Sequence, residues 1–180
     1  LQKFSIRNQY EIQAKLRGFT YLYNKAYKFE QTITLSNSVS NVLHFTQSYQ
    51  PFFDKIYFKD YLDSICTLKV INKETKQYIC EEDPSQLKLP LFGLIIDDYI
   101  YYLSKDILFK KIKDNTYEFQ IVIKTTPKII LGKEFLSSYK AIYNNGNHTF
   151  NFFGETKRLT INITDPTGWS DSSNNEWLTP

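Results

Sequence analysis

Alternation of apolar and polar residues in short segments is the feature that most restricts how this chain can fold. Residues 10–16 and 117–123 alternate in this way, and a period of two puts the apolar side chains on one face of a strand. Tyr and Phe, which favour strands, occur 14 times each. We therefore predict an all-β chain of about ten strands with one or two short helices. Further strands are expected at residues 19–23, 29–35, 89–96, 99–103, 129–131, 139–143, 148–153 and 159–163.

Gly18 and Pro51 mark two expected changes of structure. Gly18 is predicted to end the first strand. Pro51 lies in the first turn of a predicted helix over residues 51–65, with Ser48 as its cap. Apolar residues recur there at helical spacing, namely Phe52, Phe53, Ile56, Tyr61, Leu62 and Ile65. A helical turn is also predicted at residues 133–138.

Cys66 and Cys80 flank a symmetrical hairpin pattern. Residues 67–71 and 75–79 would be its arms and Asn72-Lys73-Glu74 its loop. This register places the cysteines opposite each other, where a cross-strand disulfide can form; the alternative is two free, buried thiols. Two cysteines and two histidines far apart do not make a structural zinc site, so neither a metal nor a cofactor is expected.

Two tripeptides and the composition indicate a secreted or luminal protein. Asn147-His148-Thr149 and Asn162-Ile163-Thr164 match the N-glycosylation pattern. The chain contains no Met, so we expect a processed or partial chain. The sequence contains no run of about 18 apolar residues, so no membrane span is predicted. The net charge is only +3, and the densest basic cluster, Lys110, Lys111 and Lys113, is predicted to be a solvated loop, so no nucleic-acid partner is expected.

The segment Ile129-Ile130-Leu131-Gly132-Lys133-Glu134-Phe135-Leu136 is followed by a Tyr-rich hairpin pattern at residues 139–154. Together they resemble the closing segment of pepsin-like aspartic proteases, in which an Ile-Leu-Gly strand, a short helix and a Tyr-rich hairpin end the C-terminal lobe. Cys80 followed by Leu89-Pro90-Leu91-Phe92, and then Asp97-Asp98, resemble earlier parts of that lobe in the same order. The resemblance implies a pepsin-like C-terminal lobe over residues 1–154. An extension over residues 155–180, with one strand and a polar tail, would follow it.

The motif that carries catalysis in that family is missing. Each lobe of the family supplies one aspartate from an Asp-Thr/Ser-Gly loop, and the two carboxylates share a proton. Here the corresponding loop would be Ser36-Asn37-Ser38-Val39. Either Ser36 and Ser38 or Asn37 and Val39 take the aspartate and glycine positions. Neither Ser nor Asn can share a carboxyl proton or activate the water, so no catalytic residue and no enzyme activity are expected.

The resemblance therefore implies a non-catalytic lobe, a pseudoprotease that acts as a secreted binding or structural assembly subunit. The alternative is the C-terminal chain of a two-chain aspartic endopeptidase whose other lobe is separate. A protein partner or a second copy is expected in either case, with Trp169 and Trp177 of the extension as contact residues. A third possibility is a carbohydrate-binding module that stacks sugars on Tyr99, Tyr101 and Tyr102, together with Trp169 and Trp177.

Overall fold

Strands make up most of the computed structural model, which describes residues 11–21, 25–54, 61–89, 91–97, 99–144, 146–152 and 157–158. The helices among these residues are short, so the all-β prediction is confirmed. The strands are β1 (Glu11–Tyr21), β2 (Lys25–Ser36), β3 (Leu43–Thr46), β4 (Cys66–Asn72), β5 (Thr75–Cys80), β6 (Phe92–Ile96), β7 (Tyr99–Leu103), β8 (Phe109–Lys113), β9 (Thr116–Phe119), β10 (Ile121–Lys124), β11 (Ile130–Leu131), β12 (Ala141–Asn144), β13 (Thr149–Phe152) and β14 (Lys157–Arg158). The helices are α1 (Gln50–Phe53), α2 (Lys105–Leu108) and α3 (Lys133–Ser138).

Twelve of these strands form one sheet. Eleven of them follow the order β14-β7-β6-β1-β2-β11-β3-β10-β5-β9-β8, and β4 pairs with β5 outside this path. The hairpin of β12 and β13 stands apart as a two-stranded sheet. Neighbouring strands in the large sheet often come from distant parts of the chain, so its centre is built from non-local pairings.

Gly18 does not end the first strand, contrary to the prediction. β1 continues to Tyr21, and its pairing with both β2 and β6 shifts between Leu16 and Gly18. Gly18 has a φ of 153°, a backbone conformation that glycine adopts without steric cost. The residue therefore produces a bulge that bends a long strand and leaves it unbroken.

The helix predicted at residues 51–65 is described only at its two ends, because residues 55–60 lie outside the described part. α1 covers its start, and its end differs from the prediction, since Leu62–Ser64 forms a 3-10 turn directly before β4. Ser48, the predicted cap, lies within another 3-10 turn, Gln47–Tyr49. Phe53 and Leu62 are nearly fully buried, so both ends of this segment contact the core.

Residues 117–123 form two strands instead of the single strand predicted. Gln120 separates β9 from β10 and is almost completely buried. Its carbonyl oxygen accepts hydrogen bonds from the backbone N–H groups of Val42 and Leu43. The Gln77 side-chain amide donates to the carbonyl oxygen of Phe119 at 2.9 Å, which satisfies a buried backbone group where β5 passes from β10 to β9.

Aromatic rings fill much of the core. Phe19 packs against Phe45 and Phe92 with ring centroids 5.2 and 5.3 Å apart. A second cluster combines Tyr101 with the ring of Tyr139, and burial raises the pKa of Tyr101 to about 12. Tyr101 also contacts Phe135 and Phe152, so these rings join β7, α3 and the small hairpin.

The Cys66–Cys80 hairpin is confirmed. β4 and β5 pair with Cys66 opposite Cys80, and the two residues form a disulfide. The loop is one residue shorter than predicted, because Asn72 pairs with Thr75 and the extra residue is a bulge at Ile71. The basic cluster at residues 110–113 lies in the exposed strand β8, and its prediction as a loop is wrong.

Candidate functional site

The loop at residues 37–42 leaves β2 and returns to the sheet as β3, and β11 lies between these two strands. β11 pairs in parallel with β2, with Leu131 opposite Leu35. It pairs in antiparallel fashion with β3, with Leu131 also opposite Leu43. The segment Ile130-Leu131-Gly132 therefore reaches the loop from a part of the chain almost one hundred residues away.

Ser36, the last residue of β2, has no exposed surface. Its Oγ accepts a hydrogen bond from the backbone N–H of Ser38 at 3.2 Å, and the two Oγ atoms are 2.9 Å apart. The Ser36 side chain therefore turns back into the loop and is occupied there. Ser38 itself is exposed.

Gly132 holds the other side of the loop by close backbone contact. Its N–H donates to the carbonyl oxygen of Val42 at 2.9 Å, and the N–H of Lys133 donates to that of Val39 at 2.8 Å. A Cβ atom on Gly132 would lie 2.2 Å from the carbonyl oxygen of Asn41 and 2.7 Å from that of Val39. Only glycine allows this approach without displacing the loop.

Asn41 and His44 complete the support of the loop. Asn41 has a φ of 76°, a left-handed conformation that Asn tolerates better than most residues, and its Nδ2 donates to Oε1 of Gln120 at 3.3 Å. His44 Nε2 lies 2.8 Å from the carbonyl oxygen of Ser40, so this nitrogen carries a proton and donates. Burial, opposed by the bond to Ser40, lowers the pKa of His44.

The loop offers hydroxyl groups without a carboxylate. Residues 36–42 contain three serines and no Asp or Glu. His44 uses Nε2 on a backbone carbonyl group, and Nδ1 of His148 lies 2.8 Å from the hydroxyl of Tyr143 in the small hairpin. Within the part of the chain that the structure describes, no three His, Cys, Asp or Glu residues are placed to hold a metal ion.

The remaining predicted site residues are scattered. Asn147 is exposed in the turn between β12 and β13, where the Thr149 hydroxyl donates to its Oδ1 at 2.5 Å. Asn162, Trp169 and Trp177 lie outside the described residues. Tyr101, one of the three proposed sugar-stacking tyrosines, is buried in the aromatic core.

One surface feature had no signal in the sequence. A pocket of about 310 Å³ lies between α2, β8 and α3. Glu134 lines it with Oε1 3.6 Å from Nζ of Lys110, while its Oε2 has no hydrogen-bond partner among the described residues. The lining residues are Asp106, Ile107, Phe109, Lys110, Gln120, Glu134, Ser137 and Ser138. They come from three elements and from Gln120 between β9 and β10, so only the tertiary structure brings them together. No helix among the described residues is long and apolar enough to cross a bilayer.

Comparison with known proteins leaves the family open. No family model matches the chain, and no curated protein matches it. Among solved structures, a similar chain is conglutin gamma, a basic 7S globulin from lupine seeds, with a TM-score of 0.48 and 12% sequence identity. The match covers 70% of this chain and 36% of that one, so the chain spans about a third of the globulin's length. Function must therefore be argued from this chain's own residues.

Proposed function

We propose that this chain is a non-catalytic lobe of the pepsin-like type that serves as a binding or structural assembly subunit. The observation that carries the proposal is the contact between the loop at residues 36–42 and the Ile-Leu-Gly segment of β11, which is joined to it by the hydrogen bond from Gly132 to Val42. The resemblance implies the degenerate catalytic loop and the Ile-Leu-Gly segment in one lobe. Their contact across almost one hundred residues of sequence supports that expectation.

Of the two registers left open by the sequence, we propose the one in which Ser36 takes the aspartate position and Ser38 the glycine position. Ser36 is the last residue of β2, and its Oγ accepts a hydrogen bond from the backbone N–H of Ser38, which supports this register. The positive φ in this loop falls on Asn41; Ser38 is not among the residues with positive φ. The loop therefore keeps its shape without a glycine at position 38.

A hydroxyl at this position cannot perform the family's chemistry. The mechanism needs two carboxylates that share a proton, one acting on a water as a base and the other as an acid. Ser36 does not ionise near neutral or acid pH, and its burial keeps substrate away from its Oγ. Two copies of this lobe would bring together two serines and still no carboxylate pair.

An acid proteolysis assay tests the absence of activity. The purified 180-residue chain is incubated with unfolded casein between about pH 3 and pH 5, with and without a pepstatin-type inhibitor, and with pepsin as the positive control. We expect no cleavage above the buffer blank. Pepstatin-sensitive cleavage by the chain would overturn the proposal.

The second candidate is the C-terminal chain of a two-chain endopeptidase, in which a separate lobe would supply one aspartate. That aspartate would face Ser36, which gives one carboxylate instead of the usual pair. Mass spectrometry of the protein purified from its source distinguishes the two candidates. A co-purifying lobe with Asp-Thr-Gly or Asp-Ser-Gly would favour the endopeptidase; its absence would favour an independent subunit.

The location and extent of the proposed lobe follow from the same reasoning. The Cys66–Cys80 disulfide is of the kind that persists in oxidising compartments, which supports the secretory route, with Asn147 and Asn162 as glycosylation sites.

We assign residues 1–154 to the lobe and 155–180 to the extension. Among the described residues, β14 pairs with Ile100 and Tyr99 of β7. We propose that the strand expected at residues 159–163 pairs with a neighbouring protein.

A further inference from the structure

The end of the β4–β5 hairpin carries two aliphatic side chains in solvent. We define the hairpin tip as residues 69–76. Val70 is 71% exposed, Leu91 is 53% exposed and Ile71 is 52% exposed, and these are the highest values among the large hydrophobic residues of the described chain. Two adjacent exposed β-branched residues at one turn are unusual on a protein surface, where exposed apolar side chains normally occur singly.

The bulge in β4 places these two side chains together. Val70 pairs with Lys76 and Asn72 pairs with Thr75, so Ile71 is an extra residue. A bulge leaves two residues of one strand opposite one residue of its partner, and Ile71 is the extra residue between the Val70–Lys76 and Asn72–Thr75 pairs. The other strand of the tip is held by the sheet: Thr75 and Lys76 pair with β10, and Thr75 is buried. The continuously exposed part of the tip is therefore the β4 strand with the turn, residues 69–74.

Positive charge surrounds the two aliphatic residues. Lys69, Lys73 and Lys76 are all exposed, and none of them forms an ion pair with a described residue. With Glu74 as the tip's acidic residue, three lysines against one glutamate leave a net charge of +2. The disulfide at the base of the hairpin ties the two strands that carry this tip.

We propose that the hairpin tip docks onto an anionic lipid bilayer, with Val70 and Ile71 inserted at the level of the headgroups and the lysines bound to lipid phosphates and carboxylates. Charge complementarity favours a bilayer: exposed lysines lie beside the two exposed aliphatic residues, and anionic lipids attract such basic segments. A stable protein interface normally buries about 800 Å² on each side, far more than two aliphatic side chains provide. On a membrane, each lysine adds attraction to anionic lipids, and its aliphatic stem can lie along the interface while the ammonium stays hydrated.

Vesicle flotation tests this proposal with the oxidised full-length chain. The chain is mixed at low salt with vesicles of phosphatidylcholine alone or with about 30% phosphatidylserine, and the fraction that floats is measured. We expect binding to the anionic vesicles only, and loss of that binding as salt is raised, because salt screens the lysines. Equal binding to both vesicle types, or to neither, would overturn the proposal.

Paired variants locate the contact. Val70→Ser with Ile71→Ser should lower partition to the anionic vesicles by about tenfold or more, and replacement of Lys69, Lys73 and Lys76 by Gln should lower it by at least about tenfold. Leu91→Ser is the matched control, since Leu91 is 53% exposed and lies outside both the tip and the basic strand β8, and it should leave binding unchanged. Both tip variants change exposed residues only, and circular dichroism verifies their fold.

A protein contact at the tip would give a different result. If Val70→Ser with Ile71→Ser dissolves an oligomer in the absence of lipid, or if it leaves vesicle binding unchanged, the tip is not a membrane element. Neither result bears on the acid proteolysis assay, because the tip is remote in sequence from Ser36 and takes no part in the loop contacts described above.

Discussion

At the scale of single residues, the loop after β2 packs so closely on Gly132 that no side chain fits at position 132. The carbonyl oxygens of Val39, Ser40 and Asn41 all lie within 3.0 Å of the place where Gly132 would carry a Cβ. These oxygens belong to the backbone, which cannot rotate away as a flexible side chain can. Gly132 is thus required by close packing, since its own φ is −92°.

We expect Gly132→Ala to lower the free energy of unfolding by about 1–3 kcal/mol, because the new methyl group displaces the loop backbone. Urea denaturation followed by tryptophan or tyrosine fluorescence measures the change. Gly146→Ala is the control: its Cβ would meet only Oδ1 of Asn144, at 3.3 Å, in an exposed turn, and the cost should stay within about 0.5 kcal/mol. Equal losses in the two variants would contradict this account of Gly132.

His44 should make stability depend on pH. Burial lowers its pKa in the folded chain, so below the unfolded value of 6.5 the unfolded state binds the proton first. The free energy of unfolding should therefore be constant above about pH 6.5 and should fall as the pH decreases from there towards the lower pKa of the folded chain. Protonation would occur at Nδ1, since Nε2 already donates to Ser40.

Denaturation curves between pH 7.5 and pH 5 measure this effect. His44→Gln should flatten the decline, because Gln does not titrate. His148→Gln leaves His44 in place, so this variant should show the same decline in the free energy of unfolding as the unchanged chain. A decline of unchanged slope in His44→Gln would show that other groups cause the pH dependence.

At the scale of elements, the β4–β5 hairpin is the part most completely predicted from the sequence. Its arms, its register and its disulfide follow from the symmetry of residues around Lys73, because cross-strand pairing is a local geometric rule. Only the bulge at Ile71 was missed, since a shift of one residue near a turn leaves the rest of the register unchanged.

We expect Cys66→Ala with Cys80→Ala to lower the free energy of unfolding by about 3 kcal/mol, as the chain-entropy model gives for a loop of this size. The sequence separation of the two cysteines is 14 residues. The urea midpoint of the double variant is compared with that of the oxidised chain and of the chain reduced with dithiothreitol. Reduced chain and double variant should agree; no shift on reduction would contradict the prediction.

The end of the helix predicted at residues 51–65 and the division of residues 117–123 differ from the predictions for one reason. Leu62 is buried within a 3-10 turn, and Phe119 and Ile121 are buried on either side of Gln120, where β9 ends and β10 begins. Periodicity indicates which residues are buried, but a tighter turn or an interrupted strand can bury residues at the same spacing.

At the scale of the whole molecule, the short strand β14 joins the main sheet at the edge formed by β7. Lys157 pairs with Ile100 and Arg158 with Tyr99, which covers part of that edge. Exposed edges are ready sites for pairing with other chains. On the proposed division of the chain at residue 154, we expect β14 to protect this edge and residues 159–180 to contact a neighbour.

Two truncations test the proposed assembly role of residues 155–180. A chain that ends at Gly154 should lose its assembly with the partner or second copy, because it lacks the whole extension. A chain that ends at Arg158 keeps β14 and should lose assembly as well, if Trp169, Trp177 and residues 159–163 make the contact. Sedimentation velocity or size-exclusion chromatography with light scattering measures the mass. An unchanged oligomer after truncation at Gly154 would overturn the assembly proposal.

The sequence alone determined the all-β class, the disulfide and the absence of Asp and Glu from the loop after β2, because these depend on local periodicity, pairing symmetry and residue identity. Tertiary structure decided the bulge at Gly18, the burial of Ser36, the meeting of β11 with the loop and the exposure of Val70 and Ile71. These features arise where segments distant in the chain compete for the same space. The outcome of that competition depends on packing and backbone hydrogen bonds, which no single stretch of sequence contains.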